Sequence, residues 1–240
     1  MVRVGRSLGV FLGTLGTAVA LAQPPAPGPV APATTMPAPA PTRVVLSEVV
    51  DPPFRAAVLE VVRRPTVSTR GSGSDLVCSP DLFAWLLDHP DRTAAAWRRL
   101  QVPCVEIADA GKGRFSWTDT DGSDLSWQTV GTFPEGRVWY ATGKVKPAAV
   151  GPTVPLKAVV VVSHPGTAVG GGAARITPTV QAFVQTDSKA AAVALRVLGP
   201  TAPKLAQDAA EQLVLFFAGV ARYVHAHPDR ADELLAPARR

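Results

Sequence analysis

The chain contains few of the residues that usually carry out catalysis or bind metals. Only 2 cysteines and 4 histidines occur among 240 residues, and His89, His164 and His227 each precede a proline at a predicted turn. His225 and His227 have no acidic or cysteine partner at helical spacing, so no metal site and no cofactor are predicted. No His-Glu-x-x-His, Gly-x-Ser-x-Gly or P-loop motif occurs, so no catalytic residue is predicted and a non-enzymatic role is favoured.

The chain also lacks a strong excess of charge. Its net charge is +5, and removal of Arg3 and Arg6 with a leader segment would leave +3 on the mature chain. Pairs of arginines are scattered and do not form one stripe with interleaved aromatic residues. The sequence therefore argues against nucleic acid as a partner.

The N-terminal residues are not expected to fold. Arg3 and Arg6 precede an uncharged run that ends in Ala20-Leu21-Ala22, which has the form of a signal-peptidase site, so residues 1–22 are predicted to be a cleaved signal peptide. A transmembrane anchor is the alternative, but the run is short and rich in Gly and Thr for a membrane span. We expect a secreted or periplasmic protein without a transmembrane segment after cleavage.

The rest of the chain divides by composition and pattern. Residues 23–42 are almost all Pro, Ala, Gly and Thr and are predicted to be a disordered tether. Residues 43–64 are predicted to be a short lead-in and a helix that begins near Asp51 and ends before Pro65. Residues 65–227 are predicted to form one α+β domain, followed by a frayed tail over 228–240.

The two cysteines, Cys78 and Cys104, are predicted to form a disulfide, because an exported chain meets an oxidising compartment. A bridge across a loop of this length would contribute on the order of 3 kcal/mol to stability. Two free buried thiols are the alternative, since the sequence does not show whether the two Cα atoms come within bonding reach.

Within the predicted domain, a strand with a glycine bend is expected over 66–78 and two helical pieces divided at His89-Pro90 follow it. Alternating strands are expected from Gly113 to Thr186, with the apolar run 156–163 as a central strand. Helices are then expected over 188–198 and 203–226.

The first predicted hairpin constrains its own register. A two-residue loop at Asp121-Gly122 would place Trp117 and Trp127 on opposite faces, whereas a loop of odd length keeps them on one face. We therefore predict a loop of three or five residues with Gly122 bulged, and pairing of Trp117 with Trp127.

The last helix carries apolar residues at steps of three and four, the spacing of one helix face. This face is predicted to cover the sheet, and it consists of Leu205, Ala209, Leu213, Phe216, Val220 and Tyr223 or Val224.

The order of one strand, two short helices, a run of antiparallel strands and a long helix resembles the helix-grip fold of the START-like superfamily. This superfamily includes lipid-transfer domains, polyketide cyclases and aromatases, and plant pathogenesis-related proteins. The resemblance covers about residues 65–226 and rests on element order, from which the helix over 188–198 departs.

The resemblance implies a cavity between a curved antiparallel sheet and the C-terminal helix, often filled by an apolar ligand. Its expected lining consists of Trp117, Trp127, Trp139, Tyr140, Phe183 and Phe216. The alternative for each of these aromatic residues is an ordinary place in the core.

The sequence thus predicts an exported, non-catalytic binding protein for an apolar small molecule or lipid. One alternative is an envelope-associated interaction or structural module whose groove is packed shut. A second is a hydrolase or cyclase with unrecognised site residues. The sequence makes no prediction about the oligomeric state.

Overall fold

The computed structural model describes residues 44–119, 122–146, 153–186 and 201–237, without the side chains of 201–203 and 205. The predicted signal peptide, the tether and the helix over 188–198 lie outside these ranges.

A seven-stranded antiparallel sheet forms the centre of the fold. Its order is β1-β10-β7-β6-β5-β4-β3, so the last strand lies between the first strand and β7. The strands are β1 (Val67–Ser72), β3 (Ala108–Gly111), β4 (Arg114–Thr118), β5 (Asp124–Phe133), β6 (Gly136–Val145), β7 (Val154–Ser163) and β10 (Thr179–Gln185).

A second, smaller sheet is inserted into this plan. It has the order β2-β9-β8. Its strands are β2 (Leu76–Cys78), β8 (Gly166–Gly170) and β9 (Ala173–Ile176). Gly170, Gly171 and Gly172 all have positive φ in the tight turn between β8 and β9, a conformation that glycine adopts without strain.

The helices begin and end where proline and capping residues predict. Ser79 caps α3 by accepting a hydrogen bond from the Leu82 N–H at 3.4 Å, and Pro90 separates α3 from α4. The helices are α1 (Leu46–Val49), α2 (Arg55–Arg63), α3 (Pro80–Asp88), α4 (Pro90–Arg99), α5 (Thr201–Ala226) and α6 (Ala231–Leu235), with 3₁₀ turns at Pro52–Phe54 and Pro228–Arg230.

The helices cover both faces of the large sheet. We call the face that packs against α3, α4 and α5 the inner face and the face that packs against α1 and α2 the outer face. In the central strand β7, Val160 and Val162 point to the inner face and Val159 and Val161 to the outer face. This explains why the run is apolar without interruption. The predicted α+β helix-grip fold is confirmed.

The hairpin prediction is correct about which side chains share a face and wrong about which residues pair. Phe115 pairs with Trp127 and Trp117 pairs with Leu125, so these side chains share the inner face, as predicted. The pairing is displaced by two residues from the predicted one. The last pair is Thr118 with Asp124, which leaves a five-residue loop, 119–123, where Gly122 has a φ of 93°.

The buried stripe of the long helix α5 is rotated by about one residue from the predicted one. Ala209 is exposed, and Leu213 and Phe216 are only half-buried. The buried positions are Ala210, Val214, Phe217, Ala218, Val220, Ala221 and Val224. Because the helix is apolar on more than one side, tertiary packing decides which stripe faces the sheet.

The segment before β1 is docked on the outer face through a bulge in β5 between Thr129 and Gly131. The Asp51 N–H donates to the Val130 carbonyl at 2.8 Å, and Val50 forms a bridge with Gly131. A Cβ at Gly131 would lie 2.6 Å from the Val49 carbonyl oxygen, so this approach requires glycine.

The C-terminal residues after α5 pack against α4. Leu234 is buried, and the Arg99 guanidinium donates to the carbonyls of Leu234, Ala236 and Pro237 at 2.5, 2.9 and 2.9 Å. An arginine therefore satisfies carbonyls at the end of α6 that have no partner within the helix.

The predicted disulfide between Cys78 and Cys104 is wrong, because both thiols are free. Cys78 belongs to the buried core beside Leu76, and burial raises the pKa of its thiol to about 11. Cys104 is half-buried in the segment after α4. Burial also raises the pKa of the Cys104 thiol, and the charge of Arg98 partly offsets this effect.

Candidate ligand-binding face

The six aromatic residues predicted to line one cavity lie on two faces of the sheet. Trp139 and Trp127 belong to the inner core, and Trp117 shares their face by its pairing with Leu125. Tyr140 and Phe183 lie on the outer face with the residues that pack against α1 and α2. Their prediction as cavity lining is therefore corrected, because neighbours such as Trp139 and Tyr140 on one strand point to opposite faces.

One end of the inner face is closed by direct aromatic packing. The rings of Trp139 and Phe217 have centroids 5.8 Å apart, and these side chains are only 5% and 1% exposed. Phe216 stands edge-on to Phe217 at 4.8 Å, and its carbonyl accepts a hydrogen bond from Trp97 Nε1 at 2.9 Å. Phe217, and not the predicted Phe216, is the residue of α5 that packs on the inner-face tryptophan.

Small residues bring α5 close to the neighbouring elements. A Cβ at Gly71 in β1 would lie 2.9 Å from the Ala210 carbonyl carbon, and a Cβ at Gly73 would lie 2.5 Å from Val214 Cγ1. On the other side of the helix, a Cβ at Gly219 would lie 2.4 Å from Trp97 Cζ2. The helix therefore rests on β1 without space for a ligand between them.

The remainder of the inner face is apolar but not fully covered. A group of its side chains is only half-buried, and we call this group the inner apolar strip. Its members are Trp117, Leu125, Trp127, Ala141, Leu156, Val160, Ala182 and Val184. They share one face by strand register.

The outer face of the same strands has the opposite character. Ser126, Thr142 and Lys157 follow one another across β5, β6 and β7 and are exposed. Polar residues are therefore found where the sheet meets solvent, and apolar residues where it faces the long helix. The inner apolar strip is therefore a partly exposed apolar surface on the face that packs against α5.

A polar group closes the end of the sheet beyond Trp139. Arg137 is 8% exposed, and its Nε and Nη2 donate to the two carboxylate oxygens of Asp88 at 2.7 and 2.8 Å. Its Nη1 donates to the Gly136 carbonyl at 2.9 Å. This bidentate ion pair fixes the end of α3 to β6.

His164 lies beside this ion pair and is 4% exposed. Its ring is 5.3 Å from that of Phe83, and its Nε2 has no hydrogen-bond partner within the described part of the chain. Burial, followed by the positive charge of Arg137, lowers the pKa of His164 to about 4. The imidazole is therefore neutral at physiological pH.

A depression of about 410 Å³ lies at the ends of β6, β7 and β10. Its lining consists of Thr142, Gly143, Pro155, Leu156, Lys157, Gln185 and Thr186. By strand register, Thr142, Lys157 and Gln185 of this lining belong to the outer face of the sheet, whereas Leu156 belongs to the inner apolar strip. Two buried oxygens of the lining, Gln185 Oε1 and Thr186 Oγ1, have no hydrogen-bond partner among the described residues.

Over residues 44–119, 122–146, 153–186 and 201–237, no three Cys, His, Asp or Glu side chains come close enough to hold a metal ion. Within the same ranges, no helix has both the length and the apolar character needed to cross a bilayer.

Comparisons with known proteins found similar structures but no family. No family model matches the chain, and no curated protein matches it. A conserved protein from Geobacillus kaustophilus is 15% identical with a TM-score of 0.43, covering 67% of this chain and 95% of its own. Ara h 8.0201 is 12% identical with a TM-score of 0.38, covering 67% of this chain and 100% of its own.

Norcoclaurine synthase from Thalictrum flavum is 16% identical with a TM-score of 0.30, covering 66% of this chain and 91% of its own. Ara h 8.0201 and norcoclaurine synthase belong to the superfamily that has the helix-grip fold. Likenesses this distant say nothing about the function of this chain.

The predicted cavity lining omitted several residues of this region. Phe115 is buried opposite Trp127, with ring centroids 5.8 Å apart, and its alternation with Trp117 was the available signal. Gln185 alternates with Gln181 and Phe183, which indicates one shared face, whereas Thr186 gave no usable signal.

Proposed function

We propose that this domain binds an apolar small molecule or lipid in the crevice along the inner apolar strip, without catalysing a reaction. The observation that carries the proposal is the half-buried state of apolar side chains on the one sheet face that the fold turns inward. In a filled core these side chains would be buried like Trp139 and Val162. An apolar ligand that covers them would recover roughly 25 cal/mol per Å² of surface removed from water.

The closed end of the inner face defines where the crevice stops. Trp139 rests on Phe217 there, and its Nε1 has no hydrogen-bond partner in the ranges that the structure describes. Binding is therefore expected on the side of the strip that includes Trp127 and Ala141, away from Arg137 and His164.

The test is a titration of the purified protein with an apolar fluorescent probe such as 1-anilinonaphthalene-8-sulfonate, followed by native mass spectrometry to detect co-purified ligand. Ala141→Phe would fill the strip beside Trp127, its cross-strand partner, and is expected to weaken probe binding at least tenfold. Ser126→Phe adds the same ring to an exposed outer-face position of β5 and is the matched control. Equal probe binding by both variants and the wild type would overturn the proposal.

A second candidate function is an interaction or structural module, which the direct contacts of α5 with Trp139 and β1 favour. Under this alternative the crevice closes in solution, so the chain has the bare sequence mass in native mass spectrometry and binds no probe.

We also propose that the protein acts outside the cytoplasm. The support is the pattern of residues 1–22, with Arg3 and Arg6 before an uncharged run and a small-residue cleavage site. Expression of the full chain in a bacterium, followed by fractionation and N-terminal sequencing, tests this. A mature N-terminus at Gln23 in the periplasmic fraction is expected, and an intact N-terminus in the cytosol would contradict it.

A further inference from the structure

The outer face of the large sheet carries a group of exposed cations, which we call the outer cationic surface. Strand register places Arg114, Lys144 and Lys157 on this face, because each alternates with an inner-face residue of its own strand. The full membership is Arg63, Arg64, Arg114, Lys144 and Lys157, and all of these residues are exposed.

The two arginines reach this surface at the end of α2, which packs on the outer face. The Arg64 carbonyl accepts a hydrogen bond from Gln185 Nε2 at 3.4 Å, and Gln185 pairs with Lys157 across β10 and β7. The end of α2 therefore lies beside Lys157. Cations that are distant in the sequence, from α2, β4, β6 and β7, thus come to one side of the sheet.

Few carboxylates oppose these cations. At the outer-face positions of β4 to β7, the described part of the chain has one carboxylate, Asp124, which lies opposite Lys144. On α2, Glu60 precedes the two arginines by one turn. The salt bridges among the described residues involve other arginines, so positive charge is in excess on this surface.

The uncharged residues of the surface indicate which kind of anionic partner it fits. Ser126 and Thr142 lie in one row with Lys157 and are exposed, whereas no aromatic side chain is exposed here among the described residues. Protein interfaces are centred on aromatic and apolar anchors and contain few lysines. Single-stranded nucleic acid requires aromatic stacking platforms. A sheet face with cations and hydroxyls is instead complementary to a layer of phosphate groups.

We propose that the outer cationic surface docks the protein on a membrane that contains anionic phospholipids. The lysine and arginine side chains lie near the lipid phosphates, and the hydroxyls of Ser126 and Thr142 are available to donate hydrogen bonds to them. The inner apolar strip belongs to the opposite face of the sheet, so the docked protein turns it away from the bilayer. The inference does not rest on the proposed binding function.

The test is cosedimentation of the purified protein with two kinds of vesicle, one of phosphatidylcholine alone and one of phosphatidylcholine with phosphatidylglycerol. Binding to the anionic vesicles is expected at low ionic strength, with loss of binding at about 0.5 M salt, and little binding is expected to phosphatidylcholine. The double variant Lys144→Gln with Lys157→Gln is expected to bind the anionic vesicles about 25 times more weakly, because each basic residue near the surface contributes about fivefold.

A matched double variant controls for the loss of net charge. Arg175→Gln with Lys204→Gln removes the same charge from exposed positions in β9 and α5, and is expected to bind within about twofold of the wild type. Thermal unfolding of both double variants checks that they fold, and substitutions at exposed positions are expected to leave it nearly unchanged.

Each of three outcomes would overturn the proposal. Equal binding to both kinds of vesicle would do so, because contact through the inner apolar strip does not depend on the charge of the head group. Equal weakening in the two double variants would show that net charge decides, and not this surface. Retention on immobilised polyglutamate without binding to either vesicle would favour an acidic protein as the partner. None of these outcomes bears on the fluorescent-probe titration, which tests the apolar binding function separately.

Discussion

Acidification should destabilise this domain through His164. The ordinary pKa of histidine, 6.5, is lowered to about 4 in the folded protein, so between these values the unfolded chain binds a proton that the folded chain does not. The free energy of unfolding is therefore highest above about pH 6.5 and decreases as the pH falls toward 4. At about 1.36 kcal/mol per pKa unit, the full loss is about 3 kcal/mol, of which about 2 kcal/mol is reached at pH 5.

The structural cause is specific to this site. His164 is buried against Phe83, and the neighbouring guanidinium of Arg137 opposes a second positive charge. The carboxylate of Asp88 acts in the other direction on the pKa but is engaged by Arg137. Protonation would therefore place a charge in a site without an available counterion.

The assay is urea unfolding at pH 7.5 and pH 5, comparing the wild type with His164→Gln. The variant lacks the titrating group. Between pH 7.5 and pH 5, the free energy of unfolding of the wild type should therefore fall by about 2 kcal/mol more than that of the variant. His225→Gln, at an exposed position, controls for the removal of a histidine. Parallel losses in the wild type and His164→Gln would refute the reasoning.

Three further predictions concern the ion pair, the bulge and the thiols. Asp88→Ala should lower the free energy of unfolding by about 2–3 kcal/mol in urea, less than the roughly 3–5 kcal/mol typical of breaking a fully buried pair, because the Asp88 side chain is 40% exposed. The double variant with Arg137→Met should recover most of the lost stability. Gly131→Val should cost about 1–3 kcal/mol and speed proteolysis before β1, because its Cβ meets the Val49 carbonyl. Ellman's reagent should detect two thiols in the denatured chain. In the native protein Cys78 should react slowly, because burial raises the pKa of its thiol to about 11. An intact mass lower by two hydrogens would show a disulfide and contradict the presence of two free thiols.

The sequence predicts the strands well where alternation or an uninterrupted apolar run is strong. The run through Val159 and Val161 becomes the doubly covered central strand, and the alternation of Phe115 and Trp117 correctly places the first hairpin's aromatic residues on one face. Proline and capping chemistry place the boundary between α3 and α4 at His89-Pro90. These are local effects, so a single sequence contains the information needed.

The wrong predictions concern positions whose burial or pairing is decided by contacts between residues that are distant in sequence. On α5, Phe216 and Phe217 are equally apolar, and only the approach to Gly71 and Trp97 fixes which one faces the sheet. Similarly, the positions of Cys78 and Cys104 in three dimensions have no local signature. Tyr140 is a different case, since it follows Trp139 directly and strand alternation alone excludes both residues from one cavity wall.

The position of β10 between β1 and β7 has a consequence for how the protein is made. Residues 67–72 pair with residues of β10, which are synthesised more than a hundred residues later, and α5, which covers the inner face, is synthesised later still. Such distant pairing slows folding. The strand β1 cannot pair until nearly the whole domain has left the ribosome. The chain therefore stays unfolded, and competent for translocation, during most of its synthesis. This property suits a protein that we expect to cross a membrane before it folds.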